Sequence, residues 1–449
     1  MMIRRNFFVG FKRTSQQILC LSGPIAFSLL VQALYNIVDS FYVSRYSADG
    51  LTALSLAFPV QLFLLALATG VSTGCGILVS YYLGERKNEL ALEAGVNGFL
   101  LSLFHWVLCA GLCWPMLSVY FYVFSNNVRV QDMGMAYTFC ICMCSGFQFL
   151  ENTSSRILYS QGNSFGPMIA QVAGAVFNII LDPVLIYGAF GIREMGIAGA
   201  AAATVMGQFF SLVLSLLFLR KGSMRFRKKN FMVSWNLCRG IYKAGFPTFF
   251  MQALVAFYVS GLNMVLKPFG EYAIMSLGIY YKLQTFLLMP VNSISLAVTP
   301  LMSYGCGEKN YAQVWKIYRC ALSISFFAML LGTGIFWAFP RQLIAIFSSD
   351  KGLFTAAVPA LRIISLSFPF FSFTIIIPVL LQVAGYTREN LFITFARQIV
   401  FLVPIAWVLS HFGLKYIWFT FPVSEILAAG ISWIYRNRIY REFAQRVEL

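Results

Sequence analysis

Gln61–Arg86 reads QLFLLALATGVSTGCGILVSYYLGER, and Gln284–Lys309, 223 residues on, reads QTFLLMPVNSISLAVTPLMSYGCGEK. Laid over each other without a gap, Gln61 falls on Gln284 and Phe63-Leu64-Leu65 on Phe286-Leu287-Leu288. Ser72 falls on Ser295, Leu78 on Leu301, Ser80-Tyr81 on Ser303-Tyr304, and Gly84-Glu85-Arg86 on Gly307-Glu308-Lys309. The same offset carries Pro24 onto Pro247 and Gly162 onto Gly385. Agreement this dense exceeds what apolar composition yields by chance, so the chain is one unit written twice. Each copy is a solidly apolar run that ends in a short, polar, basic turn. That is the pattern of a helix that crosses lipid and emerges into water.

The rest of the chain has the same character. It has 449 residues, of which 59% are hydrophobic, 17% aromatic and only 11% charged, with a mean hydropathy of +0.74. A soluble domain carries about 25% charged residues, so a soluble enzyme, a disordered chain and a coiled coil are excluded. A β-barrel would alternate apolar and polar residues, and these runs do not. The fold class is therefore an all-α polytopic membrane protein. Twelve spans are predicted at 18–43, 54–83, 94–121, 133–158, 166–190, 197–219, 241–266, 274–300, 317–338, 357–383, 391–411 and 416–435. Residues 1–219 form an N-lobe of six spans and residues 241–449 a C-lobe of six. The basic stretch 220–240 is a cytoplasmic linker between them.

The net charge of +17 reflects positive-inside bias rather than nucleic-acid binding. Most of the 33 Lys and Arg fall at the termini and in the loops on the termini's side, which places both termini in the cytoplasm. The turns at 84–87 and 307–309 then lie on one side, so the two halves run parallel, related by an axis along the membrane normal. Parallel repeats of this kind build transporters that rock around a central cavity. The ten cysteines imply no disulfide framework. Cys140, Cys142 and Cys144 splay onto different helix faces and do not make a zinc site.

Carboxylates inside the membrane are expensive and so point to function. Asp39 closes the first span in Gln32-Ala33-Leu34-Tyr35-Asn36-Ile37-Val38-Asp39, with Gln32, Tyr35 and Asn36 on the same broad face. In the fifth span Asn178 and Asp182 are one turn apart, and Pro183 frees a carbonyl one turn back. Carboxylate, amide, hydroxyl and carbonyl oxygens suit a hard cation such as Na⁺ at Asp39, Asn178 and Asp182, and the carboxyls are equally able to carry H⁺. The positions 223 residues later are Leu262 and Ile405, so an ion site belongs to the first half. Glu151, set beside Asn152 and Arg156, and Glu425, after Pro422, are further candidates. With Gln32, Asn36, Asn152, Gln252, Lys282 and Gln284 they are assigned to a substrate cavity or its supporting shell, although Lys282 equally suits a cation snorkelling to the outer interface. No phosphate-binding loop, diphosphate motif or His-based metal motif is present. No catalytic residue is assigned, and no cofactor is expected beyond a coupling ion.

In these features the chain resembles the multidrug and toxic compound extrusion (MATE) transporters. The resemblance rests on Pro24 through Asn36-Ile37-Val38-Asp39, on Gly84-Glu85-Arg86 and its copy Gly307-Glu308-Lys309, on Gln161-Gly162-Asn163, and on Asn178 through Pro183, in that order. It implies antiport, in which an organic, often cationic compound leaves as Na⁺ or H⁺ enters. Acids in the first and fifth spans resemble the DinF-like branch, which implies that Tyr35, Asp39, Asn178 and Asp182 hold the cation. The NorM-type pattern has acids in the seventh and tenth spans, where this chain has none. The expectation is a monomeric exporter in the cell membrane whose partners are drug-like substrates and membrane lipid. A flippase of lipid-linked saccharides and a passive channel are the alternatives.

Overall fold

The structure, a computed structural model, describes residues 14–189, 191, 193–222, 232–348 and 350–447. The expected linker 220–240 therefore lies partly, at 223–231, outside the described residues. Every regular element among the described residues is helical. The first copy contains α1 (Thr14–Tyr46), α2 (Ala48–Gly84), α3 (Asn88–Phe124), α4 (Val128–Cys144), α5 (Gly146–Ser160), α6 (Phe165–Tyr187) and α7 (Gly196–Lys221). The second contains α8 (Trp235–Leu266), α9 (Glu271–Gly307), α10 (Tyr311–Ala338), a short α11 (Pro340–Ala345), α12 (Lys351–Ser365), α13 (Phe368–Val383) and α14 (Thr387–Phe395). A π-helical stretch at Ala396–Phe401 leads into α15 (Leu402–Ser410), and a short α16 (Leu414–Ile417) precedes α17 (Thr420–Val447). Among the described residues, ten helices or helix runs are long and apolar enough to cross a membrane, and twelve if each of two bent pairs is one span.

The repeat is visible in the backbone. Arg86 and Lys309 are the two non-glycine residues with positive φ among those described, at 62° and 57°. Each terminates its helix in the same way. The Arg86 N–H donates to Leu83 O and the Lys87 N–H to Tyr82 O, while Lys309 donates to Cys306 O and Asn310 to Gly305 O. This double reach-back satisfies carbonyls that the helix end leaves open. Gly162 and Gly385, at φ 77° and 90°, repeat the motif after α5 and α13, with Asn163 donating to Leu158 O and Tyr386 to Leu381 O.

The spans predicted at 133–158 and 357–383 are not straight. α4 and α5 meet at 45° and α12 and α13 at 47°. At the first break the Ser145 hydroxyl donates to Cys142 O at 2.8 Å, and Gly146 leaves room for the Trp106 ring, which a Cβ there would strike. At the second the Ser367 hydroxyl donates to Ile364 O at 2.6 Å, and Pro369 removes a ladder donor two residues on. A serine that bonds back into its own helix, with glycine or proline beside it, bends the ladder. A hydropathy window is blind to this because the break stays apolar.

Packing divides the chain into two units, one of Gly23–Gln252, the other of Ala253–Leu449 with the start of α1 through Ser22. In the first unit the opening turns of α8 lie against α2, glycine on backbone. A Cβ on Gly74 would collide with the backbone of Ile241 and Gly245, and one on Gly245 with that of Gly70. Small residues let helix backbones approach this closely in lipid. Large apolar side chains such as Trp114, Met116 and Val119 on α3, and Phe327 and Leu331 on α10, are exposed, which is the surface a bilayer covers.

Candidate functional site

α6 and α7 build one wall of the site. They cross where Gly174 and Gly207 face each other, and a Cβ on either would meet the other's carbonyl. On α7, Gly199, Ala203 and Gly207 recur every fourth residue, the small-residue stripe that packs membrane helices. The close crossing sets the Asn178 amide against α7, where its Nδ2 lies 3.5 Å from Thr204 Oγ1. The same Nδ2 donates to Asp182 Oδ1 at 3.4 Å, so the one-turn spacing read from the sequence is a real pairing. α6 continues through Pro183, which has no N–H to donate to the carbonyl one turn back.

A cavity of about 390 Å³ opens within the first unit. Gln32, Tyr35, Asn36 and Asp39 line it from α1, Gln61 from α2, Tyr137 from α4, Glu151 and Asn152 from α5, Gln171 and Asn178 from α6, and Thr204, Gln208 and Ser211 from α7. Tyr137 is fully buried and accepts a hydrogen bond from Gln61 Nε2 at 2.8 Å. Asp39 is 7% exposed and Asp182 is fully buried. Asp182 is not itself on the cavity wall; it joins the site through Asn178, whose amide donates to it.

Three oxygens here are buried and accept no hydrogen bond: Asp39 Oδ1, Asn178 Oδ1 and Asp182 Oδ2. Leaving a buried acceptor unmet costs about 1–3 kcal/mol, and more for a charged one. All three are hard oxygen donors, which fits Na⁺, and two belong to carboxyls, which fits H⁺. Among the described residues no cluster of three or more His, Cys, Asp or Glu is placed to hold a metal ion. A site here therefore rests on two carboxylates and neutral oxygens.

The other sequence candidates fall into separate places. Glu151 faces the cavity and accepts from the Ser155 hydroxyl at 2.6 Å and from Gln171 Nε2 at 3.2 Å. Asn152 instead donates to the carbonyl of Gln148. Gln252, Lys282, Gln284 and Glu425 do not line this cavity. Lys282 is exposed, with its ammonium 5.6 Å from the centre of the Phe347 ring. Glu425 is an ion-pair partner: Arg397 Nε donates to its Oε1 at 2.6 Å and the Thr374 hydroxyl to its Oε2 at 2.7 Å. Arg397 lies in the π-helical stretch inside a span-length helix, with its side chain only 16% exposed. Gln61, Tyr137, Gln171, Thr204 and Gln208 line the cavity as well, although the sequence by itself assigns none of them to a site. Amides within otherwise apolar runs were the available signal for three of these.

The fold and this site define a polytopic membrane protein of two like halves with a polar, acid-bearing cavity in the first. The MatE family model matches residues 24–184 and again residues 247–408, and the chain belongs to the MatE family. It is 24% identical over 400 residues, 88% of this chain and 86% of the relative, to "Probable multidrug resistance protein NorM" of Thermotoga maritima. It is 24% identical to "Multidrug export protein MepA" of Staphylococcus saprophyticus over 95% of each chain. Among solved structures it is similar to a multidrug resistance MATE family transporter of the MOP superfamily in an outward-facing conformation, with TM-score 0.90 and 24% identity over 98% of each chain. It is similar also to a MATE protein in the straight conformation, with TM-score 0.92 and 22% identity over 99% of each. The fold expected from the repeat is the fold of these structures.

Proposed function

We propose that this protein exports organic, often cationic amphipathic compounds across the cell membrane in exchange for an inward-moving cation, Na⁺ or H⁺. The observation that carries the reading is that Asp39 and Asn178 line one cavity, that Asn178 is bonded to Asp182, and that all three keep a buried oxygen without a hydrogen-bond partner. Relatives named for multidrug resistance and export support the substrate class. Tyr35 extends the same α1 face and lines the same cavity as Asp39. The absence of acids from α8, α12 and α13 supports a DinF-like rather than a NorM-type arrangement.

Coupling in this scheme is a difference in cation affinity between two conformational states. A cation bound between α1 and α6 favours the state that holds those helices together, and its release favours the other. Aromatic faces such as Tyr35 and Tyr137 add attraction for lipophilic cations. The chain works as a monomer with both termini in the cytoplasm. Asp39→Asn and Asp182→Asn test the site, since each keeps the side chain's size and removes its charge. Both variants are expected to insert at wild-type levels and to lose gradient-driven efflux of a cationic dye from cells. Normal pumping by both would overturn the assignment.

A further inference from the structure

We infer that the second unit binds the phosphodiester headgroup of an anionic phospholipid, in a pocket between the first turns of α10 and the last turns of α17. The pocket is an open groove of about 360 Å³, and its walls include Trp315, Arg319, Ser323, Trp433, Arg436 and Tyr440. Two of these are cations, and none of the described residues lining the pocket is acidic. The Arg436 guanidinium lies 4.4 Å from the ring centres of both Trp315 and Trp433 and 5.8 Å from that of Tyr440. Its Nη1 donates to Asn437 at 2.6 Å. The rings hold this cation in place by cation–π attraction without neutralising it. Arg319 and Ser323, one turn apart on α10, are exposed beside it. Two guanidiniums without a carboxylate partner suit phosphate oxygens, which accept from the planar fork; the Ser323 hydroxyl is already given to the Arg319 carbonyl at 2.9 Å.

A lipid is favoured over a free anion by what surrounds the charges. Leu322 lines the same pocket, and farther along α10 Phe327 and Leu331 are exposed at 67% and 68%. They form an apolar track on which an acyl chain can lie. Trp and Tyr concentrate where a membrane meets water, and basic pockets between helices at that level bind anionic headgroups. The first copy of the repeat has Leu92 and Val96 where the second has Trp315 and Arg319, so the fold itself does not demand this pocket. Placing it in the cytoplasmic leaflet rests on the orientation proposed above. The binding itself does not.

Native mass spectrometry of the full chain in mild detergent tests the inference, with phosphatidylglycerol, cardiolipin and phosphatidylcholine offered at equal concentration. The anionic lipids are expected to be retained over phosphatidylcholine. Arg319→Gln and Arg436→Gln are each expected to lower that retention roughly fivefold, from the contribution of one cation near a membrane surface, and the double variant to abolish the preference. Arg319 is exposed, so its variant reads binding without disturbing the packing around Arg436. Equal retention of all three lipids, or unchanged retention by Arg319→Gln, would overturn the inference. Displacement of the lipid by millimolar inorganic phosphate would overturn the choice of a lipid and leave a small-anion site.

Discussion

Glu425 shows how much a single residue's meaning depends on its neighbour. In sequence it is an acid after a proline in the last span, open to a cavity role. In the structure its two oxygens are met by Arg397 and Thr374, and the guanidinium also lies 5.2 Å from the centre of the Phe371 ring. Breaking one side of a buried pair is more damaging than removing both, because a lone buried charge remains. Arg397→Met and Glu425→Gln are each expected to destabilise the protein by about 3–5 kcal/mol. The double variant should lose less than the sum of the two. Thermal unfolding of the purified variants in detergent measures this, and strictly additive losses would mean that the two side chains are not coupled. Asp39 and Asp182 contrast with Glu425: each retains an oxygen without a hydrogen-bond partner, and so they carry the proposed ion site.

Helices in this protein are positioned by where backbone touches backbone. Gly74 on α2 has the backbone of Ile241 and Gly245 directly over its missing Cβ, whereas Gly278 on α9 has nothing within 4 Å. Gly74→Leu is therefore expected to abolish correct insertion or folding, because backbone cannot yield as a flexible side chain can. Gly278→Ala is expected to be neutral or to stabilise by up to about 1 kcal/mol, from helix propensity. Yield of monodisperse protein on gel filtration separates the two, and a well-behaved Gly74→Leu would show that the α2–α8 contact is loose. The same contact explains why the first packing unit runs on to Gln252, past the basic linker.

For the whole molecule the decisive quantity is what drives transport. In inverted vesicles, substrate is expected to accumulate when a Na⁺ or a pH gradient is imposed separately, with one of the two sufficient and no accumulation without either. Equal flux in the absence of any gradient would mark a passive pore and end the antiport reading. Asp39→Asn should abolish accumulation under both gradients while leaving the protein in the membrane.

The amino-acid sequence alone determined the membrane class, the doubled architecture and the shared helix face of Asn178 and Asp182. These depend on composition, on a repeat and on one-turn spacing, all of which are local or periodic. It also marked Asp39, since a charge in an apolar run stands out without any partner in view. Only the tertiary structure decided that Asp39 and Asn178, far apart in the chain, line one cavity. It alone decided that Gln61 and Tyr137 share the cavity of Asp39, that Arg397 and not solvent answers Glu425, and that two spans bend. Those outcomes follow from which helix faces meet, and the meeting is set by glycine-sized gaps and by single serine hydroxyls that no hydropathy average registers.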